Sequence, residues 1–376
     1  MSHAERGVKE VSTEELVTTV NRLRSRFEEE IIGVSVPVFG SLRPTLHRTR
    51  AKLRPSLPQS LSEIVLDGQW TKTIDGQNFL IIDDGLEDRI LGFSTPELLS
   101  ALSGAQVLFM DGTFKIVPRI FSQLYTIHGF YRGQMIPCVF FLLPNKQTQT
   151  YERMLSLLQT YCFTRGIALN PRTFQTDFEL AALNAVRTCF PLAEIRGCYF
   201  HFSQCLWRKW QQLGLTSDEN MNDRDVQRVF RSVKSLALIP LERIDDAWLE
   251  IEEDAPGPAH ASNQKLCQFK EYVITSWLEN GDFPRTMWNH FKNFATRTTN
   301  HLEGWHHAIN SVARKKKLNI FEMIKLLQRE EAKFKIVMLQ LRMGEAPPRK
   351  CRKYEKINNT YMRLVQDFED DVIDLR

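Results

Sequence analysis

The chain has 376 residues, 43% of them hydrophobic and 25% charged, which is ordinary for a folded globular protein and excludes a wholly disordered or low-complexity one. No apolar run is long enough to span a bilayer and no secretory leader is visible, so no membrane partner is expected. Seven scattered cysteines without disulfide-scaffold spacing fit a reducing compartment, and a net charge of +4 permits a nucleic-acid partner without demanding one.

Residues 8 to 32 carry a helical pattern, with Val20, Leu23, Phe27 and Ile31 near one face. A basic stretch follows, containing Arg43, His47, Arg48, Arg50, Lys52 and Arg54, with no acidic residue between Ile31 and Ser62. It reads either as a phosphate-contacting segment or as a solvated connector, and Pro44, Pro55 and Pro58 exclude a long helix there. Phe79–Ile82 and Ile90–Phe93 read as short strands around Asp83-Asp84-Gly85. Ser94-Thr95-Pro96-Glu97 reads as a helix start.

The central block is the most regular. Strands are expected over 106–114, 121–130 and 135–143, the last two joined by a hairpin turn at Arg132-Gly133. A helix over 150–166, a strand over 173–176, a helix over 178–189, a strand over 194–199 and a helix over 201–213 follow. Antiparallel strands followed by alternating helices and strands imply an α/β fold, a mixed sheet with helices on its faces. Residues 219–295 read as an all-helical insertion broken at Pro256-Gly257-Pro258. A helix containing Glu303, the basic run Arg314-Lys315-Lys316-Lys317, a helix over about 320–341 and a charged tail complete the chain. The implied divisions are 1–100, a core over 101–215, the insertion over 216–295, completion of the core over 296–345, and the tail over 346–376.

Three acids stand out. Asp111 closes an apolar strand; before Gly112 it reads as a turn former, although a carboxylate at the end of a buried strand is costly unless paired or metal-bound. Asp177 follows a strand and reads as a helix N-cap, a role compatible with chemistry, and Glu179 is a rival ligand that reads better as a first-turn acid. Glu303 has N3 spacing from Asn300, which resembles a capping box. Glu303, His306, His307 and Asn310 share one helical face. Two aspartates at strand ends and a distant glutamate can converge on two divalent ions, and hard carboxylate oxygens suit Mg²⁺ or Mn²⁺. Cys198 and His201, with Cys205 nearby, lack a second ligand pair, so no zinc is expected and a buried cysteine beside a capping or site-facing histidine is preferred. Most tryptophans read as core rather than as stacking platforms for bases.

These residues resemble a known family. Asp111-Gly112-Thr113-Phe114, Gln123–His128, Thr176-Asp177-Phe178-Glu179, Gly197–Phe202 and Asn300–His306 are together similar to the transposase domain of Mutator-like elements, closely over about 105–210 and again near 295–315. The resemblance implies an RNase H-like fold with a DDE triad of Asp111, Asp177 and Glu303 holding two Mg²⁺ (or Mn²⁺) ions, interrupted by the helical insertion. Cys198 and His201 match the family's C-x-x-H element as site support. His306 and His307, from their place on the Glu303 face, read either as approaching a scissile phosphate or as structural. Arg314–Lys317 read as a DNA-backbone grip, a nuclear-localisation signal or a solvated helix end, and Arg48, Arg50 and Lys52 as the phosphate-contacting alternative of the earlier basic stretch. Cleavage and transfer of double-stranded DNA, a homodimer by analogy and a nuclear location follow as expectations. Similar animal proteins often begin with a FLYWCH-type zinc finger; no cysteine precedes Cys138 here, so a truncated or host-captured copy is an open reading. The alternative function is a non-catalytic DNA- or chromatin-binding protein derived from such a transposase; a nuclease acting on other nucleic acid is a third.

Overall fold

The computed structural model describes residues 44, 56–294, 297, 300–313, 315–347 and 352–374. The helix expected over 8–32, the basic residues Arg48, Arg50 and Lys52, and Arg314 lie outside the described residues. The chain divides into Met1–Leu57 and Pro58–Arg376, and the architecture belongs to the second unit.

Two short strands, β1 (Leu80–Asp83) and β2 (Leu91–Phe93), pair antiparallel. Helix α1 (Pro96–Ser103) begins where the sequence signals it: Pro96 needs no donor in the first turn, and the Thr95 hydroxyl accepts the Leu98 N–H. The three apolar runs that follow form a meander of β3 (Val107–Thr113), β4 (Gln123–Tyr131) and β5 (Gln134–Leu143). The β4–β5 turn is made by Arg132 and Gly133, both at positive φ, as a two-residue hairpin requires. Met135 to Leu143 are all buried, because both faces of β5 are covered and β2 extends the sheet beyond it. Pro137 is tolerated inside this strand because the register slips there, between Ile127 and His128 of β4.

Helix α2 (Thr148–Phe163) leads to β6 (Thr173–Thr176), which pairs parallel to β3, and α3 (Leu180–Cys189) leads to β7 (Glu194–Gly197), parallel to β6. The seven-stranded order is β1-β2-β5-β4-β3-β6-β7. Three antiparallel strands continued by two parallel ones, with helical crossovers, form an RNase H-like sheet, as the resemblance implies.

A second, separate core lies among the helices that follow. Helix α4 (Tyr199–Gln212) buries Phe202, Leu206 and Trp210 against α6 (Arg224–Ser235), α7 (Ile244–Asp254) and α8 (Asn263–Val273), while short α5 (Asp218–Asn222) and α9 (Arg285–Trp288) complete the unit. Trp210, Trp248, Trp277 and Trp288 are all interior to it. The chain then returns to the sheet with α10 (Asn300–Val312) and α11 (Ile320–Arg342), the latter opened by a capping box of Asn319 and Glu322. The tail read as merely charged contains a helix, α12 (Arg352–Glu369), anchored by buried Tyr361 and Val365. The Tyr361 hydroxyl lies 3.1 Å from the Leu238 carbonyl and 3.2 Å from that of His290. No described helix is long and apolar enough to cross a membrane.

Candidate functional site

Side chains along a strand alternate between faces. On β3, Leu108 and Met110 enter the main core, while Phe109, Asp111 and Thr113 share the other face, and α10 lies along it. Leu302 packs with Phe109, His306 Nδ1 is 3.3 Å from Asp111 Oδ2, and Asn310 Nδ2 donates to Thr113 Oγ1 at 3.3 Å. The contacts advance four residues on the helix for every two on the strand. Four helical residues rise about 6.0 Å and two strand residues about 6.6 Å, so the two elements stay in step over all three contacts.

Asp111 is largely buried, and its Oδ1 accepts the Gly112 N–H at 2.7 Å. A Cβ at the neighbouring Gly112 would stand 2.6 Å from the Gln123 side-chain oxygen, so a larger residue there would displace that buried side chain. The parallel register pairs Phe109 with Gln175, and Asp177 follows immediately after the end of β6, the strand beside the one that carries Asp111. Asp177 does not cap the helix directly. Its Oδ1 accepts the Glu179 N–H at 3.2 Å, and α3 begins at Leu180. Burial, together with the neighbouring Asp111 carboxylate, pushes the Asp177 carboxyl up to about 6. Glu179, read from sequence as a first-turn acid, precedes the helix instead; its oxygens meet the Tyr151 hydroxyl at 2.9 Å and the Lys146 ammonium at 3.5 Å.

Glu303 sits beside the inward stripe of α10. Burial raises its carboxyl above the usual range, with Asp111 adding to the shift, and its Oε1 lies 3.6 Å from His201 Nε2 on α4. Burial works against charge on His201, but the Cys198 side-chain hydrogen bond and the Asp111 and Asp177 carboxylates outweigh it and raise the imidazole to about 9. Cys198 is wholly buried and immediately precedes α4. Each of the three acids therefore perturbs, or is perturbed by, another of them. Among the described residues, no three His, Cys, Asp or Glu side chains are gathered closely enough to form a metal-binding group as they stand.

Residues 107–205 match the family model of the MULE transposase domain. The MULE match opens on the first residue of β3 and closes within α4, so it covers Asp111, Asp177, Cys198 and His201. Glu303 and the whole of α10 fall beyond it, and their link to the matched segment is the geometry above. No curated protein matches the chain.

Of the residues read from sequence, the fold brings together Asp111, Asp177, Glu303, Cys198, His201 and His306. His307 is not among them; it is exposed. The inward stripe of α10 runs Leu302, His306, Asn310 with Glu303 at its edge, and His307 falls about 40° further round. Of the basic run, Lys315 pairs with Glu322 at 2.6 Å, Lys317 donates to the Phe114 carbonyl at 3.1 Å, and Lys316 is exposed. Sequence reasoning missed Thr126, His128 and Gln175. Gln175 is fully buried two residues before Asp177, and neither of its amide atoms has a partner, an uncommon state for a buried amide. Gln175 lies in a short, mostly polar strand, and Thr126 and His128 share a strand with Gln123, so nothing local marked any of them out.

Proposed function

We propose that this protein is a transposase-like polynucleotidyl transferase that cleaves and joins DNA strands through Asp111, Asp177 and Glu303. One observation carries the reading: an acid inside β3 lies close enough to an acid just after the adjacent parallel β6, and to an acid on a helix laid along β3, that its charge raises the carboxyls of both. Like charges held together in a partly dry site cost free energy, and a divalent cation relieves that cost. Carboxylate oxygens fit Mg²⁺ or Mn²⁺. Two such ions, when bound, would polarise the attacking and leaving oxygens of a phosphodiester.

The protein's own contribution is positional. Asp111 is oriented by the Gly112 N–H and His306, and Asp177 by the turn onto Glu179. Glu303 reaches the site by virtue of α10, and His201 holds its carboxylate. Lys316, exposed at the end of that region, and Lys315 and Lys317 beside it supply positive charge for a DNA backbone, an interaction weakened by salt. Double-stranded DNA is the partner, the nucleus the compartment, and a homodimer the assembly, since two transposon ends must meet. A second reading, a DNA- or chromatin-binding descendant without cleavage, is favoured by the histidines already engaging Asp111 and Glu303.

Nicking of supercoiled plasmid in Mn²⁺ separates the two. The wild type is expected to nick, and Asp177→Asn and Glu303→Gln to lose at least about a hundredfold in rate, on the scale of losing a group that acts directly on the transition state. A folded wild type that binds DNA, cuts neither plasmid nor cognate ends and leaves them intact would establish the second reading.

A further inference from the structure

β4 sends two buried polar side chains toward the first acid. Thr126 stands opposite Asp111 in the β3–β4 ladder, with His128 two residues along on the same face; both are wholly buried. Buried polar groups are costly unless hydrogen-bonded, and these meet each other and the site. His128 Nε2 is 3.0 Å from Thr126 Oγ1, and Thr126 Oγ1 is 3.3 Å from the Asp111 carbonyl and 3.5 Å from His306 Nε2. The other nitrogen of His306 faces the Asp111 carboxylate. Trp305 closes the cluster. Its ring meets His128 edge-on at 5.2 Å and lies 5.9 Å from Phe140, while its Nε1–H donates to Glu330 on α11 at 2.8 Å. Burial, and then His306, lower the His128 imidazole well below its ordinary value, so His128 is neutral and carries one ring hydrogen.

The hydroxyl of Thr126 has one hydrogen to give and two lone pairs to receive. We propose that Thr126 and His128 are positioning residues for Asp111: His128 Nε2–H donates to Thr126, the Thr126 hydrogen serves His306 Nε2 and the Asp111 carbonyl, and His306 presents Nδ1–H to the Asp111 carboxylate. His306 lies one turn beyond Glu303 on α10, so the same relay fixes the first acid and the helix that carries the third. That these are the metal-binding acids rests on the proposed function; the placement of the ring hydrogens does not.

The test uses the full chain with ¹⁵N-labelled histidine. Long-range proton–nitrogen spectra of the rings, assigned with His306→Gln and His128→Phe, are expected to find the hydrogen on Nε2 of His128 and Nδ1 of His306. Thr126→Val is expected to change the His306 ring pattern and weaken Mn²⁺ binding, followed by calorimetry, by about tenfold or more, as loss of an outer-shell partner does. Thr126→Ser, which keeps the hydroxyl, is expected to retain both. His128→Phe keeps a ring against Trp305 and removes the donor; it is expected to behave as Thr126→Val, and decides the question if that variant misfolds. Unchanged ring signals and Mn²⁺ affinity in these variants would overturn the relay. Equal losses in the Val and Ser variants would also overturn it, because packing rather than the hydroxyl would then be responsible. Should the wild type bind no Mn²⁺, the proposed function falls and the ring spectra alone uphold or overturn the relay.

Discussion

At the scale of single residues, Asp177 shows what the site costs the fold. Its carboxyl is raised by burial and by Asp111 to about 6, from 3.8 unfolded. Between those values the native state holds a proton that the unfolded state has released. Stability from this group is therefore complete below pH 3.8 and lost as pH rises through about 6. Asp177→Asn keeps an oxygen for the Glu179 N–H and removes the charge. It should stabilise the protein at pH 7.5 by on the order of 1–2 kcal/mol, an advantage that fades toward pH 3.8. Urea midpoints at the two pH values measure this, and a variant less stable than wild type at pH 7.5 would mean that the carboxylate is not under strain. Asp111 stood out in the sequence as a carboxylate in an apolar strand, whereas Asp177 and Glu303 each read locally as a helix cap and were singled out by the family resemblance. His128 and Thr126 were not, because one histidine and one threonine among apolar residues read as ordinary strand; only the β3–β4 register reveals what stands opposite Thr126.

At the scale of elements, α10 and β3 act as a matched pair. Leu302 is fully buried against Phe109 at the start of the shared contact. Leu302→Ala should cost about 2–4 kcal/mol and loosen the helix that carries Glu303, so that Mn²⁺ affinity falls along with the thermal midpoint. Retained affinity in a destabilised variant would show that His306 and Asn310 hold the helix without it. The periodicity of α10 was readable, but the polar residues Glu303, His306, His307 and Asn310 drew the predicted face too far round. An apolar residue, Leu302, sets the true centre, since burial of a leucine outweighs the placement of an exposed histidine. The tail helix α12 went unread for a related reason: Tyr361 and Val365 are few among many charges, and their burial depends on a docking surface distant in sequence.

At the scale of the whole molecule, two hydrophobic cores divide the work. One fills the RNase H-like sheet, the other the helical insertion. The first was foreseeable from hairpin signals and alternation, while the membership of α4 in the second was not, since an amphipathic helix does not announce which core it faces. Because α10 covers the Phe109 face of the sheet, a chain ending at residue 295 should leave Val107, Phe109 and Met135 uncovered and bind 1-anilinonaphthalene-8-sulfonate several-fold more strongly than the full chain. Equal dye binding would show that the insertion shields that face by itself. The same arrangement sets a timetable during synthesis. Glu303 follows Asp177 by 126 positions, which at about 5–20 residues per second is roughly 6–25 s on the ribosome. Through that interval the nascent chain holds both aspartates without Glu303, so the three carboxylates come together only once α10 has been made.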